Sequence, residues 1–257
     1  MNRRSSIDLN ADVGEGCGFD AELVPLVSSV NIACGAHAGD LDTMRLAVAL
    51  ALRHGAAIGA HPGFADREHF GRREIAVSPA GAAALVVEQA RLLQKVAAGL
   101  GARVGHVKLH GALYNMAAAD RSLATAVVEA LAEANRQSGS QLALVALAGS
   151  ELLAIGRARG LAVAGEAFAD RSYRSGGKLA PRSEPGAVIA DEDAAARQAV
   201  RIAREGVVQA ADGTDVPVDA DTICLHGDSP SAARFARRIR LELAAAGIAV
   251  RSAYMDA

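Results

Sequence analysis

The stretch that decides the fold is Ala57-Ile58-Gly59-Ala60-His61-Pro62-Gly63-Phe64, a short apolar run that stops at a histidine and a Pro-Gly turn. Short apolar runs that end in polar side chains recur along the chain, and segments of helical period separate them. The pattern predicts strands at Ser6–Asn10, Val30–Cys34, Ala57–Ala60, Val104–Leu109, Leu142–Leu147, Ala162–Ala167 and Thr222–Leu225. Seven strands that alternate with helices form either a β/α barrel or a doubly wound sheet.

The helices between these strands have recognisable ends. Ser78-Pro79 is a typical helix start, and Gly101 follows the end of that helix. Asp120 is expected to cap a helix that runs to about Arg136. Ser229-Pro230 and Gly247 bracket the last helix in the same manner. Asp212-Gly213 lies between two short β-prone runs, which favours a small hairpin before the last strand, although an irregular loop also fits.

Length and composition bound the class of protein. The 257 residues, 51% of them hydrophobic, can bury a sizeable core, and we expect residues 1–257 to form a single domain. The net charge of −2 gives no field that would attract nucleic acid or a membrane surface. The three cysteines lack metal or redox spacing, and no apolar leader or spanning segment is evident, so we expect a cytoplasmic protein.

Polar side chains follow almost every predicted strand, at the end where α/β proteins carry their functional residues. After the first two strands we single out Asn10, Asp12, Glu15, Asn31 and His37. Each residue alone could be a turn acceptor or a cap. The cluster as a whole favours a functional site, whereas Asp40 is better explained as a helix cap.

The later strands add further candidates, namely His61, Lys108, His110, Asn115, Glu166, Asp170, Arg171, His226 and Asp228. Strand alternation places Lys108 and His110 on one face, which a packed barrel tolerates poorly without partners. Asp12, Glu166 or Asp170 could be the carboxylate partner of Lys108. A purely structural ion pair remains the alternative. Arg171 suits capture of a carboxylate or phosphate, or else it orders its own loop. Cys224 is interpreted as a small buried hydrophobic residue.

A metal site stays open at this point. Histidines and carboxylates at strand ends suit a divalent ion, and Asp12, His37 and His61 are the first candidates. No H-E-x-x-H or other close ligand spacing supports the site. The chain also has no G-x-x-x-x-G-K-[ST] and no G-x-G-x-x-G after its first strand, so no motif predicts a nucleotide.

The segments that carry these candidates also carry a family resemblance. They are Asp8–Glu15, Asn31–Asp40, Gly59–Phe64, Phe70–Arg73, Val107–Asn115, Phe168–Tyr173 and Cys224–Asp228, and together they closely resemble the LamB/YcsF family of 5-oxoprolinase A subunits. The resemblance extends from Ile7 to about Ile248 and keeps the order and spacing of the segments. Leu109 departs from it, because many relatives are expected to have Pro there, but Lys108 and His110 are kept.

The resemblance implies a seven-stranded β/α barrel like that of the glycoside hydrolase/deacetylase superfamily. It also implies ATP-dependent hydrolysis of 5-oxo-L-proline to L-glutamate, by a complex of this chain with the B and C subunits of 5-oxoprolinase. ATP, expected together with Mg²⁺, and both partner subunits follow from the resemblance alone. Nucleic-acid and membrane partners are not expected.

With this reaction in view, roles can be assigned as hypotheses. Asp12 or Glu166 orients or deprotonates the water, and Lys108, with His110 or His61, stabilises negative charge on oxygen. Arg171 holds the substrate carboxylate, and His226 with Asp228 protonates the departing nitrogen. The other substrate-binding candidates are Asn10, Glu15, Asn31, His37, Asn115 and Asp170.

Two other functions remain compatible with the sequence. One is metal-dependent deacetylation of an N-acetylated carbohydrate, which the fold analogy suggests. The other is a non-catalytic subunit whose cavity holds a ligand while its partners perform the chemistry.

Overall fold

Seven parallel strands close into a barrel in the computed structural model, which describes residues 4–225, 227 and 230–254. The described residues form ten strands in all, seven of which belong to the barrel: β1 (Ser6–Val13), β2 (Ser29–Ala33), β3 (Ala57–His61), β4 (Val104–Lys108), β5 (Ala143–Leu147), β6 (Val163–Phe168), β7 (Val207–Gln209), β8 (Asp215–Pro217), β9 (Thr222–Leu225) and β10 (Ala249–Val250). The barrel order is β1-β2-β3-β4-β5-β6-β9, and β9 pairs with β1 to complete the circle.

Helices connect most of these strands and pack around them. They are α1 (Asp20–Leu23), α2 (Leu41–His54), α3 (Pro79–Ala98), α4 (Gly111–Ala119), α5 (Arg121–Ser138), α6 (Glu151–Ala158), α7 (Glu192–Glu205) and α8 (Ala232–Ala245). Short 3₁₀ helices occur at Val24–Leu26 and Arg67–His69. Among the described residues, no helix is both long enough and apolar enough to cross a membrane.

The closure of the sheet decides between the two architectures that the sequence allowed. Asn10 lies opposite Ser29 of β2 on one side and opposite Cys224 of β9 on the other, so β1 has no free edge along this stretch. The predicted barrel is therefore confirmed. All seven predicted strands are present, and six of them match the prediction to within one residue at each end.

The first strand is the exception, because it continues to Val13 instead of stopping at Asn10. Its polar residues Asn10 and Asp12 point into the barrel, where Asn31 donates hydrogen bonds to both side chains. Polar residues usually mark the end of a strand, but here they lie inside it because the interior supplies partners for them.

The predicted caps on three helices are present. The side chains of Asp40, Ser78 and Asp120 accept hydrogen bonds from backbone N–H groups in the first turns of α2, α3 and α5. The predicted hairpin around Asp212-Gly213 is also confirmed, since β7 and β8 pair antiparallel. It extends from the chain just before the last barrel strand.

The start of the last helix differs from the prediction. Helix α8 begins at Ala232, two residues after Pro230, because Pro230 and Ser231 form a turn. The proposed cap Ser229 lies outside the described residues. Gly247 follows the helix with a φ of 75°, in the left-handed conformation expected of a glycine stop.

Candidate active site

A buried ammonium group joins two carboxylates at the carboxyl end of the barrel. Lys108, the last residue of β4, places its Nζ 2.9 Å from Asp12 Oδ1 and 2.9 Å from Glu166 Oε1. Burial opposes the charge of Lys108, but Asp12 and Glu166 outweigh that effect and hold the pKa of the ammonium well above its ordinary value. Lys108 therefore has the carboxylate partners that the sequence predicted.

Amide and hydroxyl groups complete this network. Asn10 donates to Glu166 Oε1 at 3.0 Å, and Tyr114 donates to Glu166 Oε2 at 2.8 Å. Asn31 donates to Asp12 Oδ1 at 2.9 Å. Both oxygens of Glu166 are thus occupied, and its side chain is fully buried. Asp12 has a second oxygen, Oδ2, which lies 3.3 Å from His61 Nε2.

Beside this network lies a second cluster, which comes from four separate loops or strand ends. Glu15 follows β1, His37 follows β2, His61 ends β3, and His110 immediately precedes α4. One nitrogen or oxygen atom from each side chain lies within 4.8 Å of the others. The rings of His37 and His110 are parallel, with centroids 3.8 Å apart. We call these four residues the histidine cluster.

The histidine cluster includes imidazoles that are uncharged at neutral pH. Burial lowers the pKa of His37 to about 3, with nearby His61 adding to the effect, and burial likewise lowers the pKa of His110. Their nitrogen lone pairs are consequently available to a metal ion. The metal candidates from the sequence were Asp12, His37 and His61, whereas the structure adds Glu15 and His110 to the two histidines and pairs Asp12 with Lys108.

Two glycines leave room for the ring stack. A Cβ added at Gly71 would lie 2.8 Å from the Cβ of His37, and one added at Gly63 would lie 2.8 Å from His37 Nδ1. Gly71 also has a φ of +63°, which other residues adopt only with strain. The glycines of the Pro62-Gly63 turn and of Phe70-Gly71 are thus steric requirements of the histidine cluster.

A cavity of about 690 Å³ opens above the two clusters. Asp12, His61, Lys108 and His110 contribute to its lining, whereas Glu166 does not. Basic residues that the sequence analysis had not singled out, Arg72, Lys178 and Arg182, also line the cavity. Lys178 and Arg182 belong to the long segment between β6 and α7, whose place above the barrel no motif predicted.

Arg171 also lines the cavity, but two of its donors are engaged elsewhere. Its Nε donates to the Ala187 carbonyl at 3.2 Å and its Nη2 to the Ala180 carbonyl at 2.5 Å. These bonds tie down the segment between β6 and α7, which is the loop-ordering role that the sequence left as the alternative. Asp170, next to it, is buried.

The remaining candidates are less central. Asn115 lies exposed on α4 at the wall of the cavity, and His226 and Asp228 lie outside the described residues. Cys224 is buried as expected, but its Sγ also accepts a hydrogen bond from Lys108 at 3.0 Å. Strand alternation could have found it, because Cys224 shares a face with Thr222, which contacts Asn10. Burial raises the pKa of this thiol well above its ordinary value, so it is no ready nucleophile.

Comparison with known proteins gives consistent results. The model of the LamB/YcsF family matches residues 7–256. A protein of Heliobacterium modesticaldum, named as the A subunit of 5-oxoprolinase, is 49% identical, with 96% of this chain and 98% of that protein covered. A protein of the same name from Geobacillus kaustophilus is 50% identical, with 96% of each chain covered.

Solved structures agree on the fold. A lactam utilization protein from Thermus thermophilus superimposes with a TM-score of 0.87 at 46% identity, covering 96% of this chain and 99% of that one. A structure described as T48 deacetylase with substrate reaches a TM-score of 0.50 at 13% identity, covering 95% of this chain and 86% of the other. The second likeness concerns the barrel architecture alone.

Proposed function

The chain belongs to the LamB/YcsF family, and on that basis we propose that it is the A subunit of a 5-oxoprolinase. In this proposal the complex hydrolyses 5-oxo-L-proline to L-glutamate with consumption of ATP, and the B and C subunits are its partners. Relatives of about half-identical sequence, matched over nearly their whole length, are named as A subunits of 5-oxoprolinase. The observation that supports a catalytic role is the Asp12 carboxylate, fixed by Lys108 at the wall of the cavity.

Asp12 is the better of the two candidate carboxylates for handling water. Both oxygens of Glu166 are bonded inside the barrel, and Glu166 does not reach the cavity. Asp12 lines the cavity and holds Oδ2 on the side of His61. A carboxylate so positioned can orient a water or accept its proton as the water attacks the lactam carbonyl carbon. Glu166 then acts as a positioning residue through Lys108 and Asn10.

Opening the lactam also requires charge stabilisation at oxygen and a proton at nitrogen. As water adds to the carbonyl carbon, the C–N bond breaks, the nitrogen gains a proton, and a carboxylate and an amine are produced. His61 and Lys108 line the cavity beside Asp12 and can stabilise the developing negative charge. His226 and Asp228 remain the proposed proton donors to the nitrogen.

The volume of the cavity and the basic residues on its wall support the proposal that ATP binds to this chain. A volume of about 690 Å³ exceeds the needs of one five-membered lactam and lies within the roughly 300–1,000 Å³ range of ligand pockets. Arg72, Lys178 and Arg182 on the wall would hold the phosphates. ATP would transfer its terminal phosphoryl group to the lactam oxygen and leave as ADP. When water adds and the C–N bond breaks, the carboxyl group would still carry that phosphoryl group, and a second water would release phosphate and glutamate.

The experiment measures glutamate and ADP release from 5-oxo-L-proline and ATP. The chain is assayed alone and with candidate B and C subunits, as wild type, as Asp12→Asn, and as a control Asp42→Asn on the exposed start of α2. We expect product only in the complete mixture, with a loss of roughly 100-fold or more for Asp12→Asn and none for Asp42→Asn. Unimpaired Asp12→Asn turnover would remove the proposed role of Asp12.

Two alternatives have distinct outcomes in the same set of assays. The histidine cluster is an observation that also suits a metal-dependent deacetylase, which would release acetate from an N-acetylated sugar without ATP. Acetate release, with no glutamate in any mixture of folded protein, would favour that function. A non-catalytic subunit would bind 5-oxoproline, and Asp12→Asn would then alter binding while leaving turnover per bound substrate unchanged.

A further inference from the structure

We propose that Glu15, His37, His61 and His110 form a binding site for one divalent transition-metal ion, of which Zn²⁺ is the best match. The site is argued from the geometry of these side chains. It therefore stands whether or not a lactam is the substrate.

The first observation is a pair of lone pairs that face each other. His61 Nδ1 lies 2.8 Å from the Lys108 carbonyl oxygen, and His110 Nε2 lies 2.8 Å from the Phe70 carbonyl oxygen. A carbonyl oxygen can only accept, so each imidazole uses its N–H there. The remaining nitrogens, His61 Nε2 and His110 Nδ1, lie 2.9 Å apart, so their two lone pairs face each other unless a proton or another cation lies between them. A cation between them resolves this conflict.

Metal-bound histidines commonly show the same pattern of contacts. A ligating imidazole almost always donates its other N–H to a carbonyl or carboxylate, which fixes the ring and directs its lone pair at the metal. His61 and His110 both have this arrangement, with rigid backbone acceptors.

The second observation is His37, which is 1% exposed. Neither of its ring nitrogens has a hydrogen-bond partner among the described residues. Leaving a buried polar group unpaired costs about 1–3 kcal/mol, so native proteins rarely do it. A proton shared between His61 and His110 would settle their contact but leave His37 unsatisfied. A metal ion would bind one nitrogen of each of the three histidines, including His37.

The carboxylate of Glu15 completes the set. Its Oε1 lies 3.5 Å from His37 Nε2 and 3.6 Å from His110 Nδ1. Ligand atoms of a tetrahedral zinc ion lie roughly 3.4 Å apart, given bonds of about 2.0–2.1 Å. The separations of 2.9, 3.5 and 3.6 Å lie close to that value. Three imidazoles and one carboxylate suit Zn²⁺ better than Mg²⁺ or Ca²⁺, which prefer oxygen ligands.

The site would be accessible to small ligands. His61 and His110 line the cavity together with Asp12, whereas Glu15 and His37 are not part of its lining. A metal ion held here would face the cavity on one side, and because four protein groups already fill a tetrahedral arrangement, a small ligand would bind as a fifth ligand. The ligand class for that side is water or the carbonyl oxygen of a small amide. Asp12 Oδ2, 3.3 Å from His61 Nε2, is placed beside that position.

The test measures metal binding directly and does not use activity. The full-length protein is stripped with a chelator, dialysed, and titrated with Zn²⁺ alone, and bound metal is counted by elemental analysis. Co²⁺ is used in parallel, because its visible absorption reports coordination by protein ligands. The variants are His37→Gln and Glu15→Gln, and the control is His54→Gln, an exposed histidine at the end of α2.

We expect one Zn²⁺ per wild-type chain, a Co²⁺ spectrum of low coordination number, and a loss of affinity of about 100-fold for each cluster variant. His54→Gln should bind like the wild type. Absence of stoichiometric binding in folded wild-type protein would overturn the proposal and assign the short contact to a shared proton. Equal affinity in wild type and both cluster variants would overturn it as well. If His37→Gln fails to fold, Glu15→Gln decides the matter.

Discussion

Lys108 holds two carboxylates that would otherwise repel each other inside the barrel. Removing one partner of a buried ionic group leaves uncompensated charge and costs about 3–5 kcal/mol. Lys108→Met keeps the length of the side chain but not its charge. We therefore expect its free energy of unfolding to fall by that amount and glutamate release to fall by roughly 100-fold or more.

Urea denaturation and the reconstituted glutamate assay measure the two effects of Lys108→Met. Lys95→Met, on the exposed side of α3, is the matched control and should change neither quantity. A stable Lys108→Met protein with full turnover would show that the ion pairs are dispensable for both.

Asp8 is a further buried carboxylate, and hydroxyl groups supply the hydrogen bonds to its side chain. It accepts hydrogen bonds from Ser28, Ser29 and Thr222. Burial raises its pKa from 3.8 to about 6, and the hydroxyl groups offset only part of that effect. The folded protein thus binds this proton more tightly than the unfolded chain. The stabilisation is complete below about pH 4 and is lost as the pH rises through about 6.

Asp8→Asn removes this titration. Between pH 4 and pH 8, the free energy of unfolding of the wild type should fall by roughly 3 kcal/mol relative to that of Asp8→Asn, since each unit of pKa shift is worth 1.36 kcal/mol. Denaturation curves of the two proteins at both pH values measure the difference, and Asp42→Asn serves as an exposed control. If the free energies of unfolding of the wild type and of Asp8→Asn changed with pH in parallel, Asp8 would not have the raised pKa.

At the scale of elements, the loops after the strands have to fit around the stacked histidines. Gly71→Ala places a methyl group 2.8 Å from the Cβ of His37, in addition to the strain of a positive φ. Gly139→Ala, at the end of α5, has a similar φ of +68° but nothing within 4 Å. The free energy of unfolding of Gly139→Ala should fall only by the roughly 1–2 kcal/mol that a left-handed conformation costs an alanine.

Gly71→Ala should lose more stability than Gly139→Ala, and it should also lose Zn²⁺ affinity because His37 has to move. Thermal unfolding and Zn²⁺ titration of both variants test this comparison. Equal stability losses with unchanged Zn²⁺ binding in both would mean that the loop relaxes around the added methyl group.

The elements also show how far sequence reasoning reaches. Alternation along β4 and the cost of burying Lys108 were enough to predict its carboxylate partners, because both follow from local pattern and general electrostatics. The histidine cluster was only partly predicted. Its members come from positions 15, 37, 61 and 110, and only the register of four neighbouring strands brings them together. Likewise, the sequence offered loop ordering by Arg171 only as an alternative, and it did not identify the carbonyls of Ala180 and Ala187 as the partners.

Across the whole molecule, the two ends of the barrel differ in chemistry. The carboxyl end carries the charged network, the histidine cluster and the cavity. At the amino end, Tyr254 packs with Ala57, Ala143, Val145 and Ala164, and its ring stacks on His106 with centroids 4.2 Å apart. This end therefore contributes to stability through apolar and aromatic packing.

Two substitutions at Tyr254 separate packing from polar effects. Tyr254→Ala removes the ring and should reduce the free energy of unfolding by roughly 3 kcal/mol, as aromatic truncations in cores do. Tyr254→Phe keeps the ring and removes a buried hydroxyl that has no hydrogen-bond partner among the described residues. Its stability should be equal to that of the wild type or up to about 1 kcal/mol higher.

Chemical denaturation measures the stability of both variants. Zn²⁺ titration of the folded variants should match the wild type, because Tyr254 is not part of the histidine cluster. A Tyr254→Phe protein as unstable as Tyr254→Ala would show that the hydroxyl, and not the ring, secures this end of the barrel.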